Sequence, residues 1–179
     1  SQIRRYAHQG DQIFIVMDKT PFYAESGGQI GDTGTIKGSG VDLIVNDVKK
    51  DSEEFIHYCT GSIDKKIKGS VSCEVDFERR QNIRKNHTAT HLMHQALKDV
   101  LGEHVQQAGS LVHPDYIRFD LSHYEKITNE QIREIERNVN SQILLNNSLD
   151  VSVKLFDEAK NDGAIAMFGE KYGEEVRVI

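Results

Sequence analysis

The chain has 179 residues, 37% of them hydrophobic, which is enough for one domain or two small ones with packed cores. Its 22 basic and 28 acidic residues give a formal net charge of −6, which excludes bulk attraction for nucleic acid. DNA is therefore not an expected partner, and any RNA contact would have to be local. The chain shows neither an apolar run of the roughly 18 residues that cross a membrane nor an apolar signal segment. Two cysteines are too few for a disulfide framework, so we expect a cytoplasmic protein without a membrane partner.

The first 78 residues alternate short β-prone runs with turn signals, which predicts a small antiparallel β-barrel. The predicted strands cover residues 12–17, 34–36, 41–48, 55–59 and 70–75.

A glycine-rich stretch, residues 20–34, lies between the first two predicted strands and contains Ser26, Gly27, Gly28 and Gln29. Its glycines permit positive φ angles and close approach of another backbone. Such a loop could form a nest of amides for an anion, or let RNA come near. A tight connection between two strands is the plainer alternative.

After residue 78 the predicted elements lengthen and helices appear, so the chain as a whole is predicted to be α+β. A helix over 79–101 carries an apolar stripe, and Gly102 is positioned to cap its C-terminus. Thr128 begins a capping box, and the helix that follows is predicted to bury Ile132, Ile135, Val139 and Ile143. The other predicted elements are strands at 104–112, 116–121, 151–155 and 175–179 and a short helix at 157–163.

His87 and His91 lie four residues apart in the first predicted helix, a spacing that sets both imidazoles on one face. Two imidazoles at this spacing suit tetrahedral zinc, although a structural site needs four ligands and a catalytic site three with water. With His94 they fall opposite the apolar stripe, so we predict that none of the three is a core residue. Ordinary histidines without a metal are the alternative.

Four basic residues precede the histidine pair in the same helix: Arg79, Arg80, Arg84 and Lys85. They could hold a phosphate backbone near a metal site. Solvated charges at a helix start are an equally good interpretation of this pattern.

Three segments, in this order and spacing, resemble bacterial alanyl-tRNA synthetases: TPFYAESGGQ at 20–29, NHTATHL at 86–92 and AIAMFGEKYG at 164–173. The resemblance covers essentially the whole chain. It implies a translation-protein-like β-barrel over 1–78, followed over 79–179 by an editing domain of the threonyl- and alanyl-tRNA synthetase type. Such a domain hydrolyses mischarged seryl- or glycyl-tRNA-Ala, so the implied partner is the acceptor end of that tRNA. The resemblance assigns ATP, magnesium and alanine attachment to the full-length enzyme.

The resemblance also implies roles for single residues. His87 and His91 are similar to the first two zinc ligands of the family, and the other two are expected from a Cys-Gly-Gly-Thr-His segment beyond residue 179. The zinc site is therefore expected to be incomplete in this chain, and Cys59 and Cys73 do not match the missing cysteine.

Two further residues are candidates for the editing pocket. Gln107 corresponds to a polar residue that the resemblance associates with this pocket, and a plain polar strand residue is its alternative. Thr90 is a candidate partner for the substrate serine hydroxyl, although a helical threonine often bonds to its own backbone.

Three functions remain open from the sequence. The first is a cis-editing hydrolase region of an alanyl-tRNA synthetase, the second is a free-standing editing deacylase, and the third is a non-catalytic module that positions tRNA.

Overall fold

The computed structural model of the chain describes residues 1–64, 69–164 and 173–178. Its elements in chain order are β1 (Ile3–Gln9), β2 (Gln12–Met17), β3 (Gly34–Gly38), β4 (Val41–Asp51), β5 (Glu54–Ile63), β6 (Ser72–Val75), α1 (Phe77–Leu101), β7 (Gln106–Val112), β8 (Ile117–Ser122), α2 (Asn129–Leu145), β9 (Ser152–Leu155), α3 (Phe156–Asn161) and β10 (Glu175–Val178). This mixture of helices and antiparallel sheets confirms the α+β class. Most of the third resembling segment, residues 165–172, lies outside the described residues.

The chain divides into two compact units. The first consists of Ser1–Thr88 and Ser110–Arg118, and the second of Ala89–Gly109 and Phe119–Ile179. Helix α1 contributes residues to both. The sequence-based boundary between residues 78 and 79 stays a prediction about domain organisation.

The sheet of the first unit is antiparallel, with the strand order β1-β2-β5-β4-β3-β6. Its two outer strands meet at one end, where the Val71 amide donates to the Ser1 carbonyl at 2.8 Å and the Ser1 amino group donates to the Val71 carbonyl at 3.2 Å. This pair links the two outer strands at one end of the sheet, as expected for the predicted small barrel.

The barrel core follows the period of two that the sequence shows in β4. Val41, Leu43 and Val45 are buried, and the residues between them are exposed. The register with β5 shifts between Val45 and Asp47, so one extra residue is inserted in β4. This irregularity returns Val48 to the core face, three residues after Val45.

Strand β1 was missed by the sequence analysis. It is an edge strand in which only Ile3 and Tyr6 pack against the core, and its other residues are mostly charged or polar. An edge strand with so little buried surface leaves a weak alternating pattern. Gly10, with φ of 62°, makes the turn into β2.

His57 is a fully buried polar residue of the barrel. Its Nδ1 lies 3.0 Å from the Ile15 carbonyl oxygen and therefore carries the proton, while Nε2 lies 2.7 Å from the Thr20 hydroxyl and accepts from it. The Thr20 hydroxyl also accepts the Phe22 amide at 3.1 Å. The histidine thus holds the start of the glycine-rich stretch. Burial lowers the pKa of His57, and the bond to Ile15 offsets part of this effect.

The free energy of unfolding should decrease as the pH falls below about 6.5, the ordinary pKa of histidine. Above that pH, His57 is neutral in the folded and in the unfolded state. Below it, the unfolded chain binds a proton at His57 that the folded chain does not bind until the pH reaches the lowered pKa of the folded state. A histidine whose pKa is lowered in the folded state changes the free energy of unfolding by up to about 1.4 kcal/mol per pH unit. Urea denaturation over this pH range measures the slope.

His57→Gln should flatten this slope, whereas His8→Gln, a change at an exposed site on β1, should leave it as it is. Equal slopes in the wild-type chain and in His57→Gln would contradict the assignment to His57.

The second unit has its own apolar core. It is formed by Ala96, Leu97, Val105 and Ile135, with partly buried residues packed around them: Met93, Val100, Leu101, Phe119, Leu121 and Val139.

The predicted cap of α1 is confirmed, since Gly102 has a φ of 111° and its amide donates to the Lys98 carbonyl at 2.8 Å.

The capping box of α2 is confirmed, but its predicted buried stripe is only half right. The Gln131 amide donates to the Thr128 hydroxyl at 3.2 Å, and the Thr128 amide donates to the Gln131 side chain at 2.9 Å. Ile132 and Ile143 are 43% and 51% exposed. Only the middle of the helix, at Ile135 and Val139, reaches the core of this unit.

The prediction that His94 is not a core residue is wrong. It is 8% exposed, and its ring centroid lies 5.3 Å from that of Phe119 in β8. Burial and the Lys98 charge lower the pKa of His94, while a hydrogen bond to the Val105 backbone partly opposes them. Helix α1 is covered on this side by β8, which the periodicity of the helix alone does not reveal.

The end of the second unit pairs β9 with β10 in antiparallel register, with α3 between them in sequence. In the part of the chain that the structure describes, no helix is long and apolar enough to cross a membrane.

Candidate functional site

Residues Ser26–Gln29, here called the SGGQ turn, form a tight reversal in the first unit. The Ser26 amide donates to the Gln29 carbonyl at 3.1 Å, and the Gln29 amide donates to the Ser26 carbonyl at 2.9 Å. Gly27 and Gly28 have φ values of 58° and 80°, the left-handed conformation that both central residues of a type I′ turn require. The two glycines therefore provide a two-residue hairpin turn.

The SGGQ turn is held against Ser110–Val112. The Val112 amide donates to the Gly28 carbonyl at 2.8 Å, and the Ile30 amide donates to the Val112 carbonyl at 3.3 Å. A Cβ atom on Gly28 would lie 2.6 Å from the Ser110 carbonyl oxygen. The absence of a side chain at this glycine permits the close approach of the two backbones.

This placement brings Gln29 to the first of the two motif histidines. The Nδ1 atom of His87, a half-buried residue of α1, lies 2.7 Å from the Oε1 atom of Gln29. The two residues are 58 positions apart in sequence. Two motifs that the sequence analysis treated separately are thus in direct contact.

Two of the predicted RNA-binding residues fasten the glycine-rich stretch to α1. Arg79 donates from Nη1 to the Gly31 carbonyl at 2.8 Å, and Arg80 donates from Nη2 to the Pro21 carbonyl at 2.8 Å. Arg80 also forms an ion pair with Asp32, with a 3.2 Å bond from Nε to Oδ1. Both guanidinium groups therefore have structural contacts within the first unit, and their RNA contact stays a prediction.

Asp32 was not singled out by the sequence analysis. It is 1% exposed, and it accepts the Tyr23 amide at 2.6 Å as well as the Arg80 guanidinium. Its signal in the sequence is an acidic residue directly after Gly31, inside the glycine-rich stretch, which is typical of turn residues as well.

The other two predicted RNA-binding residues are exposed. Arg84 reaches Gln81 at 3.2 Å and Lys85 reaches Asn82 at 3.5 Å, each within one turn of the helix. Between these and His87, Asn86 donates to the carbonyls of His113 and Pro114 at 2.6 and 3.1 Å. The sequence analysis gave no role to Asn86, and it ties α1 to the turn after β7.

The remaining candidates belong to the second unit. Thr90 is buried, and Gln107 is half-buried in β7. His91 is more than a third exposed, and the partial loss of water around its ring lowers its pKa.

Helix α1 offers two imidazole nitrogens that suit zinc, which is fewer ligands than a zinc site needs. The Gln29 side-chain oxygen accepts a hydrogen bond from Nδ1 of His87, so Nδ1 carries the proton. The neutral ring therefore has its lone pair on Nε2. A second imidazole follows four residues later at His91. Among residues 1–64, 69–164 and 173–178, no group of three or more His, Cys, Asp and Glu side chains is arranged to hold a metal ion.

Cys59 is not suited to serve as a further ligand. It is fully buried in the barrel core, and burial raises the pKa of its thiol to about 12. Metals bind the thiolate, which this environment disfavours.

The barrel and the start of α1 carry the signature of a protein class. A family model described as "tRNA synthetases class II (A)" matches residues 1–79, which include the SGGQ turn and Arg79.

Three curated relatives narrow the class to one family. Alanine–tRNA ligases of Thermoanaerobacter sp. (strain X514), Idiomarina loihiensis and Bacillus velezensis are 47%, 48% and 49% identical to the chain over 176, 170 and 182 residues. These matches cover 97%, 95% and 99% of the chain and 20% of each relative. The chain therefore belongs to the alanine–tRNA ligase family, and it spans about a fifth of the length of these relatives.

Proposed function

We propose that this chain forms part of the editing site of an alanine–tRNA ligase, where the ester between serine or glycine and the terminal ribose of tRNA-Ala is hydrolysed. The observation that carries the proposal is the 2.7 Å contact between Gln29 and His87. It joins the SGGQ turn to the histidine motif, as expected if both serve one site. Attachment of alanine with ATP and magnesium, and a cytoplasmic location, are proposed for the whole ligase.

His87 and His91 would hold the zinc ion of this site, with further ligands from outside the described residues. Zinc supplies Lewis acidity for ester hydrolysis when it is bound. The role of the chain's own residues is to present two imidazole nitrogens from one helix, a rigid element that fixes their spacing.

Thr90 and Gln107 are proposed to recognise the amino acid. Serine is one hydroxyl larger than alanine, and a site that hydrogen-bonds this hydroxyl discriminates strongly against analogues that lack it. A threonine hydroxyl and a glutamine carboxamide can each donate and accept such a bond.

The tRNA backbone is proposed to approach the exposed side of α1 at Arg84 and Lys85. Positive side chains there would contact phosphates without reading sequence. Arg79 and Arg80 contribute positive charge nearby while they hold the glycine-rich stretch in place.

Replacement of both histidines should strongly slow the editing reaction. In the natural polypeptide that contains this sequence, His87→Ala/His91→Ala should slow seryl-tRNA-Ala hydrolysis by about 100-fold or more, since a metal contributes several kcal/mol to such a transition state. Zinc content and deacylation are measured together. His8→Ala, at an exposed barrel site, is the matched control and should change neither.

A polypeptide that binds zinc stoichiometrically but leaves seryl-tRNA-Ala intact would refute the editing proposal. Tightly bound tRNA without hydrolysis, unchanged in the double variant, would instead support a non-catalytic positioning module. Deacylation by a natural polypeptide without aminoacylation activity would identify a free-standing editing enzyme.

A further inference from the structure

We infer that Gln29 is a positioning residue for His87: its side-chain carbonyl fixes the tautomer in which Nδ1 carries the proton and Nε2 carries the lone pair. The purpose of this positioning depends on the proposed editing function, whereas the hydrogen bond itself is part of the geometry of the first unit.

The hydrogen bond has one chemically consistent direction. The Oε1 atom of Gln29 can only accept, so the Nδ1 atom of His87, at 2.7 Å, must donate. A free neutral histidine side chain favours the opposite tautomer, with the proton on Nε2. The contact with Gln29 therefore reverses the ordinary preference, and it leaves Nε2 as the ligating nitrogen.

Hydrogen bonds to its own backbone and its neighbours fix the position of Gln29. The backbone of Gln29 is bonded to Ser26 across the turn, and the residues on both sides of it, Gly28 and Ile30, are bonded to Val112. Arg79 holds the next carbonyl, that of Gly31, from the same helix that carries His87. Arg80, from the same helix, holds the Pro21 carbonyl, so two bonds fasten the loop to the helix and keep the Gln29 backbone beside His87.

This arrangement is the one that histidine metal ligands commonly have. Such ligands donate their second nitrogen to a carbonyl or carboxylate, and loss of that partner typically weakens metal binding by about 10- to 100-fold. The SGGQ motif then has a definite task. Its glycines bring the chain close to Ser110, and its glutamine orients the histidine.

The test reads the tautomer directly, without metal and without activity. In the ¹⁵N-labelled chain, long-range proton–nitrogen correlation spectra above the ordinary histidine pKa of about 6.5 distinguish the protonated ring nitrogen from the unprotonated one. We expect His87 to be protonated on Nδ1 in the wild-type chain. In Gln29→Leu it should shift toward protonation on Nε2.

Two further variants separate this role from a merely structural one. Gln29→Glu keeps an acceptor oxygen and should keep the wild-type tautomer, whereas Gln29→Leu should not. Gln95→Leu is the control: it removes a glutamine from α1, the helix that carries His87. In the described part of the chain the Gln95 side chain bonds to Asp99 at 2.8 Å, so this change should leave the His87 signals in place. An unchanged His87 tautomer in Gln29→Leu would overturn the inference.

Zinc binding to the natural polypeptide, measured by competition with a chelator, gives the second readout. Gln29→Leu should weaken the affinity by about 10- to 100-fold, and Gln29→Glu should restore it. A changed tautomer with unchanged zinc affinity would overturn the positioning role. Failure of the editing proposal would give a different result. Deacylation would survive in His87→Ala/His91→Ala, while the His87 tautomer of the chain with both histidines would still depend on Gln29.

Discussion

Asp32→Ala should lower the free energy of unfolding by about 3 kcal/mol, the lower end of the range for a buried ion pair broken on one side. The Asp32 side chain is buried, and it accepts bonds from the Arg80 guanidinium and the Tyr23 amide. Its removal leaves a cation without a counter-charge and an amide without an acceptor. The effect stays at the lower end because 34% of the Arg80 side chain is exposed to water.

Urea denaturation measures this loss, and hydrogen exchange at the Tyr23 amide locates it in the glycine-rich stretch. The Arg5–Glu54 pair is a matched control, since it joins the same kinds of groups with 64% and 43% of the side chains exposed. Glu54→Ala should cost less than about 1 kcal/mol. The double variant Asp32→Ala/Arg80→Ala should cost less than the sum of the two single changes. An Asp32→Ala loss no larger than that of Glu54→Ala would contradict the role of the buried pair.

Gly28→Ala should destabilise the first unit by about 2–4 kcal/mol and separate the SGGQ turn from β7. Part of the cost is conformational, because a side chain at the φ of 80° is strained. The larger part is steric, because the new Cβ atom would lie 2.6 Å from the backbone oxygen of Ser110. Since neither backbone can yield without breaking the bonds to Val112, the contact between Gln29 and His87 should be lost as well.

The measurement combines urea denaturation with the His87 tautomer signals. Gly10→Ala supplies the control: Gly10 also has a positive φ, 62°, but no heavy atom in the described part of the chain lies within 4 Å of an added Cβ. It should cost about 1 kcal/mol and leave His87 unchanged. Equal losses at Gly28 and Gly10 would show that the approach to Ser110 contributes nothing.

Local patterns predicted much of the fold because the residues that decide it are close in sequence. Strand β2 occupies the predicted residues 12–17, and α1 ends at the predicted Gly102 cap. The capping box at Thr128 needs only its neighbour three residues on. Strand β1 was not predicted, because it has too few buried side chains to show an alternating pattern.

Burial was predicted less well than secondary structure. The helical period put His94 on an outer face, and it placed Ile132 and Ile143 in a buried stripe. The structure has His94 beside Phe119 and leaves both isoleucines largely exposed. Periodicity predicts which residues share a face of a helix, but what covers each face is decided by other elements.

The sequence by itself determined the α+β class, the helix that carries His87 and His91, and the family resemblance of the motifs. Only the tertiary structure decided that Gln29 meets His87 and that Asp32 pairs with Arg80, across 58 and 48 residues of sequence. The physical reason is that helix and turn preferences depend on neighbouring residues, whereas these two contacts join residues that are distant in sequence and that only the packing of α1 against the glycine-rich stretch brings together.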